Sequence, residues 1–356
     1  MHTHSNFRLL VVRLGAMGDI LHALPAVTAL RQAHPDWLID WVVEPRWRAL
    51  LAAEDCPLSA QSPAQPLVDR LHFASTKAWR KASFSRQTLH EIKVLRSTLK
   101  AGQYDAVIDF QGAIRSAVVA RFAGCSRLIG EANPRERAAR WLFTERIHTR
   151  GAHVIEQDIE LASAIAGDAL VPLAPWLPID PAAEAWADEI LPRSGMLPAV
   201  LINPGAGWGA KRWPAERYAE VAQGLIARGC RVLVNAGPGE ETLAGFVASQ
   251  TGGSALSLTC SLAQLIAITR RIALAVAGDT GPLHLACALG RPVVGIYGPT
   301  DPSRNGPFGT RFKVLRSPQS RRDHSRHEAP EAGLLTIEPG DVLRAVDALL
   351  YPESAL

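Results

Sequence analysis

The four residues Leu-Leu-Val-Val at 9–12, inside a strand read over 8–14, show no polar alternation, and the turn Gly15-Ala-Met-Gly18-Asp19 follows almost at once. A strand apolar on both sides has to be covered on both sides. That selects a parallel sheet wound with helices over a half-exposed antiparallel one. The pattern continues: helical periodicity runs through Leu21, Leu24, Val27 and Leu30, and residues 38–43, 68–73 and 104–110 read as further strands. An amphipathic helix is expected over 89–99, with helical patterns over 114–122 and 153–166.

At 356 residues the chain exceeds one ordinary domain. Residues 1–166 read as a first Rossmann-like domain, and residues 167–181, with four prolines and little periodicity, as a linker. Alternation restarts in 182–356: strands at 199–203, 231–236, 255–258, 272–277 and 293–297, helices at 214–228, 240–249, 262–270 and 281–289. The last helix, 340–350, is assigned to this second domain, with a return to pack on the first as the alternative. Residues 317–331 are polar, basic and His-containing, and read as an exposed loop. The expected class is therefore α/β, two similar open units facing across a central cleft, with ligands beyond the carboxyl ends of the strands.

The totals narrow the function. A net charge of +4 allows an anionic substrate or an acidic membrane surface and falls short of a nucleic-acid footprint. Five scattered cysteines, without a C-x-x-C pair, suit reduced thiols in the cytoplasm better than disulfides or zinc. No secretory signal is read at the N-terminus. No apolar run approaches the roughly 18–20 residues that span a bilayer, so membrane association is expected to be peripheral.

Chemistry-bearing residues collect at strand ends. Gly15 and Gly18 loosen the backbone of the first turn, and Asp19 reads either as a helix N-cap or as a general base; the roles compete, since a carboxylate saturated with N–H bonds is a poor base. Asn203-Pro-Gly205-Ala-Gly207-Trp-Gly209-Ala-Lys211-Arg212 joins a strand to a helix start, pairing pliable backbone with cations, as a phosphate requires. Glu240 follows the next strand and either meets a ribose diol or favours a helix N-terminus. In Gly278-Asp279-Thr280-Gly281-Pro-Leu-His284 the first-turn N–H groups and the Thr280 hydroxyl form an anion site, while His284 reads equally as packing or ligand. Lys77, Arg80 and Lys81, with Trp79 among them, and Arg115 after Asp109-Phe-Gln111-Gly112, form a basic cluster suited to an acidic acceptor.

No D-x-D pair, H-E-x-x-H, clustered His/Cys set or G-x-S-x-G elbow occurs, so no metal or other cofactor is expected. Glu44 ends the second strand where a dinucleotide-binding unit keeps its ribose acid, but Gly15-x-x-Gly18 is only a partial fingerprint, and a dehydrogenase ranks below a transferase.

Together these segments resemble the ADP-heptose:lipopolysaccharide heptosyltransferases, most closely the heptosyltransferase I branch. The resemblance is carried by Arg13-Leu-Gly-Ala-Met-Gly-Asp19-Ile-Leu-His22-Ala-Leu-Pro25, Trp79-Arg80-Lys81, Tyr104-Asp-Ala-Val-Ile-Asp109-Phe-Gln111-Gly112, Lys211-Arg-Trp213-Pro214, the Asp279–His284 motif and Tyr297-Gly-Pro-Thr300-Asp301-Pro302. It implies a GT-B fold and an inverting transferase at the cytoplasmic face of the inner membrane. ADP-heptose is then a substrate and the acceptor a lipid-linked Kdo inner core. Asp19 would be the base. Lys211, Glu240, Asp279, Thr280, Gly281 and His284 would hold the donor, and Gly18, Lys77, Arg80, Lys81, Gln111 and Arg115 the acceptor. Two departures stand out: His153-Val-Ile-Glu156-Gln157-Asp158 lacks the family's arginine, and residues 205–210 are glycine-rich where relatives carry hydroxyl and acidic groups. The alternatives are a sibling transferase with another nucleotide sugar or the heptosyltransferase II acceptor, a nucleotide-sugar epimerase, and a non-catalytic nucleotide-binding module.

Overall fold

The computed structural model describes residues 6–58, 61–192, 197–322 and 328–351, and the chain divides into two units, Met1–Asp180 and Pro181–Leu356. The first contains β1 (Arg8–Val12), α1 (Met17–Ala33), β2 (Leu38–Val43), β3 (Arg70–Phe73), α2 (Thr76–Lys81), α3 (Arg86–Ala101), β4 (Ala106–Asp109), α4 (Ile114–Arg121), β5 (Leu128–Glu131), β6 (Glu145–Ile147) and α5 (Val154–Ala166). All pairings are parallel, in the order β3-β2-β1-β4-β5-β6. Leu9 through Val12 are fully buried, as the unalternating sequence requires of a central strand covered on both faces.

The second unit contains α6 (Pro181–Ile190), β7 (Ala199–Asn203), α7 (Ala215–Ala227), β8 (Arg231–Ala236), α8 (Glu241–Ser249), β9 (Leu256–Thr259), α9 (Leu262–Thr269), β10 (Leu274–Gly278), α10 (Gly281–Ala288), β11 (Val293–Tyr297), α11 (Pro302–Asn305), β12 (Phe312–Arg316) and α12 (Pro339–Leu350). Its parallel order, β12-β11-β10-β7-β8-β9, repeats the first sheet's topology. In each unit the first strand lies between the second and fourth, so the direction of winding reverses beside it. In open α/β sheets such a reversal leaves the crevice where ligands bind. The crevices fall after β1 and β4, and after β7 and β10.

Three of these segments gain detail. Residues 169–180 form no helix or strand, yet they lie on the first unit: Leu177 is buried, Trp176 N–H donates to Thr28 Oγ1 at 3.4 Å and Ile179 N–H to the Pro63 carbonyl at 3.0 Å. The final helix places Val342, Val346 and Leu349 in the second unit's core and packs on α7. The 317–331 segment is anchored at its ends. Ser317 and Ser320 are buried, and the Glu331 carboxylate accepts from Ser320 Oγ and Leu334 N–H, each at 2.9 Å. Part of this segment, 323–327, lies outside the described residues.

Candidate functional site

The first crevice is built around a buried arginine. Arg13 follows β1 and is only 5% exposed, so its charge has to be compensated from within. It donates to the Phe110 carbonyl beyond β4 and, through Nε, to the Asp19 carbonyl at 3.1 Å, and its Nη2 lies 3.5 Å from Asp19 Oδ1. A second tie joins the same two turns: Leu14 N–H donates to Gln111 Oε1 at 2.9 Å. Gln111 is therefore occupied in holding the turn through its carbonyl, and its side chain is buried. Asp109 anchors the β4 side, accepting from Gln111 N–H at 2.7 Å, Gly112 N–H at 3.1 Å and Ser116 Oγ at 2.8 Å. Burial pushes the Asp109 carboxyl up to about 6, against these three bonds and the nearby Arg13.

Asp19 is not the N-cap of α1. It is the third residue of the helix, and Ala16 holds the cap position. From there its Oδ2 accepts the Ala16 N–H at 3.1 Å, while its side chain stays 37% exposed. One N–H bond and one loose ion pair leave lone pairs open toward solvent, so the carboxylate is oriented without being saturated. Gly15, with φ +149°, is required twice over: by that backbone angle, and because a Cβ there would strike the Trp47 indole. The Trp47 Nε1–H is buried beside the turn and has no hydrogen-bond partner among the described residues.

The basic cluster divides. Lys77, Arg80, Lys81 and Arg115 are exposed on α2 and α4, whereas Trp79 turns inward, joining the core and donating to Glu91 Oε2 at 2.8 Å. His153 is a structural residue. It caps α5 by accepting the Ile155 N–H at 3.2 Å, and Glu156 closes the box onto the His153 N–H at 2.9 Å. Glu44 is also engaged, by Thr76 Oγ1 at 2.9 Å and Arg46 at 3.0 Å, which removes the acid a dehydrogenase would use for ribose.

The second crevice also sets a cation after its first strand. Lys211, from the loop after β7, is ion-paired with Asp279 after β10, and its Nζ sits 4.2 Å from the centre of the Trp208 ring. Asp279 Oδ1 also meets His284 Nε2 at 3.1 Å. Burial alone would raise the Asp279 carboxyl, but His284 and Lys211 overcome it and hold the group well below the usual carboxylate range. Thr280 is the N-cap of α10, and its hydroxyl turns back to the Gly278 carbonyl at 3.2 Å. Among the described residues no side chain caps this helix, which leaves the first-turn N–H groups for an anion. Glu240 curls back over the glycine loop, with Oε2 accepting the Gly237 N–H at 3.2 Å, and a Cβ at Gly205 would overlap its carboxylate. Among the described residues no group of three His, Cys, Asp or Glu could hold a metal ion, and no helix is long and apolar enough to cross a membrane.

Arg13 and the partnership of Lys211 with Asp279 were not anticipated. The signal for Arg13 was present: a cation directly after a fully buried strand needs a partner close by.

The model of glycosyltransferase family 9 (heptosyltransferase) matches residues 92–334. Lipopolysaccharide heptosyltransferase 1 of Escherichia coli strain K12 is 32% identical over 322 residues, 88% of this chain and 94% of that protein. The structure of E. coli heptosyltransferase WaaC with ADP aligns with a TM-score of 0.77 and 30% identity, covering 96% of this chain and 99% of that one. The same enzyme with ADP-2-deoxy-2-fluoro heptose aligns at 0.76 and 29%.

Proposed function

The chain belongs to glycosyltransferase family 9, the heptosyltransferases, and from that premise we propose how its residues divide the reaction. It is a GT-B enzyme of the heptosyltransferase I type, moving a heptosyl group from ADP-heptose to the lipopolysaccharide core with inversion. The acceptor we assign is the Kdo region of Kdo-lipid A, reached by a peripheral protein at the cytoplasmic face of the inner membrane.

Asp19 takes the proton from the acceptor hydroxyl as that oxygen attacks the anomeric carbon. The anomeric bond to ADP breaks in the same step, which inverts the centre and moves charge onto the diphosphate. Lys211 and the open N-terminus of α10 meet that charge, and Asp279, itself met by His284, holds Lys211 in place. Glu240, beside Gly205 and Gly237, meets the ribose diol. The exposed Lys77, Arg80, Lys81 and Arg115 meet the acidic acceptor, and Gly18 leaves room for it beside Asp19. The observation that carries this reading is the part-exposed Asp19 carboxylate, fixed by Ala16 and Arg13 at the end of the central strand. The test is transfer from ADP-heptose to Kdo-lipid A, with a thermal-shift panel of ADP, UDP, GDP and NAD beside it. Stabilisation selective for UDP or NAD, or no transfer, would overturn it.

A further inference from the structure

One layer of helices in the first unit carries, beside the residues assigned to the acceptor, apolar and basic side chains to which the reaction gives no role. Leu10 and Val12 of β1 share a buried cluster with Trp79 of α2, Leu95 and Leu99 of α3, Ala117 and Ala120 of α4, and Ala139 of the 3-10 turn Arg137–Leu142. These elements therefore cover the same side of the sheet. The outward surface of such a layer ordinarily carries polar side chains. Here it exposes six large apolar ones: Phe84 at the corner between α2 and α3, Leu89 and Val94 on α3, Ile114 and Val118 on α4, and Trp141 on the turn. Phe84 is 96% exposed and Trp141 66%.

Charge on these elements is lopsided. α2, α3, α4 and the turn hold eleven lysines and arginines against one acid, Glu91, in a chain whose net charge is only +4. Glu91 is itself engaged by Trp79 and Gln87. Arg140 and Arg146 lie over the Trp141 ring, 4.8 and 5.5 Å from its centre, which sets two cations against an apolar plate. Single exposed apolar residues need no explanation, but several on one cationic face mark an interaction site. A nucleic acid would satisfy the cations and leave the leucine, valines and isoleucine in water. A bilayer with anionic headgroups satisfies both: arginines and lysines meet phosphates, and aromatic and aliphatic groups enter the interfacial region.

We propose that the outward surface of α2, α3, α4 and the Arg137–Leu142 turn docks the protein on an anionic lipid bilayer, with Phe84 and Trp141 seated among the headgroups. The inference rests on the reading that the acceptor is carried by a lipid. It also explains why Lys77, Arg80, Lys81 and Arg115 stand on those same elements: the surface that meets the membrane continues into the residues assigned to the acceptor.

The test is co-sedimentation of the full chain with vesicles of phosphatidylcholine alone and of phosphatidylcholine with phosphatidylglycerol. Binding should require phosphatidylglycerol and weaken with salt. Each cation near such a surface is worth about five-fold in partitioning, so Arg86→Gln, Lys93→Gln and Arg96→Gln together should lower it roughly a hundred-fold. Phe84→Ser with Trp141→Ser should lower it as well, while Arg86→Lys with Arg96→Lys should keep it. Thermal unfolding of each variant separates lost docking from lost folding. Turnover on a deacylated, water-soluble Kdo acceptor should be unchanged in all of them. Equal binding to both vesicles, wild-type binding by the triple variant, or a dimer broken by Trp141→Ser without vesicle uptake would overturn the proposal. Vesicle binding that depends on these residues, without transfer to the soluble acceptor, would remove the functional reading and leave the docking surface standing.

Discussion

Neutralising Asp279 probes the charge pairing of the second unit. Its side chain and that of Lys211 are each about nine-tenths buried. In Asp279→Asn the Lys211 ammonium loses its counter-charge and, among the described residues, keeps neutral partners: the residue 279 carbonyl, 3.4 Å away, the new amide oxygen and the Trp208 ring. Removing one member of a buried pair costs about 3–5 kcal/mol. A cation–π contact offsets roughly 1 kcal/mol of that, leaving a net loss of about 2–4 kcal/mol. Lys211→Met should destabilise comparably, because Asp279 then has His284 as its remaining named partner. The double variant removes both orphaned charges and should fall short of the summed single losses by about 2 kcal/mol. Equilibrium urea unfolding measures the cycle, and hydrogen exchange at β10 and α10 localises it. The sign with pH is fixed as well. The folded carboxyl sits below its unfolded value of about 4, so its stabilisation is present above that pH and fades as the solution becomes more acid. Wild type should therefore lose stability on acidification faster than Asp279→Asn. Additive single losses, or identical acid limbs, would refute a strongly coupled pair.

Asp19→Asn should cut turnover by roughly two or more orders of magnitude, with ADP binding nearly unchanged in calorimetry; retained turnover would remove Asp19 from the chemistry. Gly205→Ala should leave the unfolding temperature close to wild type, since the Glu240 side chain can swing aside. It should weaken ADP by about tenfold, and unchanged affinity would count against a ribose contact. Asp109 behaves oppositely to Asp279: its folded value, raised to about 6, lies above the unfolded one, so its stabilisation is present below about pH 4 and lost as pH rises through 6. Across that window wild type should lose up to about 3 kcal/mol relative to Asp109→Asn, and a flat difference in urea unfolding would contradict the buried-acid account.

Central strands are readable because burial on both faces leaves a continuous apolar run: β2, β8 and β11 lie where the pattern puts them. The edges are harder. β6 is three residues of mixed polarity, and β12 is exposed or half-buried along its whole length without alternation, so neither offers a clear period. β5 ends in Gly-Glu, and α6 begins directly at Pro181 after the proline-rich stretch, so both blend into their surroundings. Among the site residues, position along the chain was readable and pairing was not. Lys211 and Asp279 are 68 residues apart, and Arg13 reaches Phe110 across 97. Only the parallel register of β7 with β10, and of β1 with β4, brings those loops together. Trp79 misleads for a related reason. A tryptophan among cations resembles a recognition surface until the packing of α2 turns it inward.

In each unit the two crevice loops are already tied to one another, by Gln111 and Arg13 in the first and by Lys211 with Asp279 in the second. The consequence is entropic. Backbone that is ordered before a ligand arrives loses little conformational freedom when it does, so more of the contact energy is available for affinity. ADP binding to this chain should then resemble occupation of a preformed cradle, with a modest heat-capacity change and without the large ordering entropy of a loop that folds around its ligand.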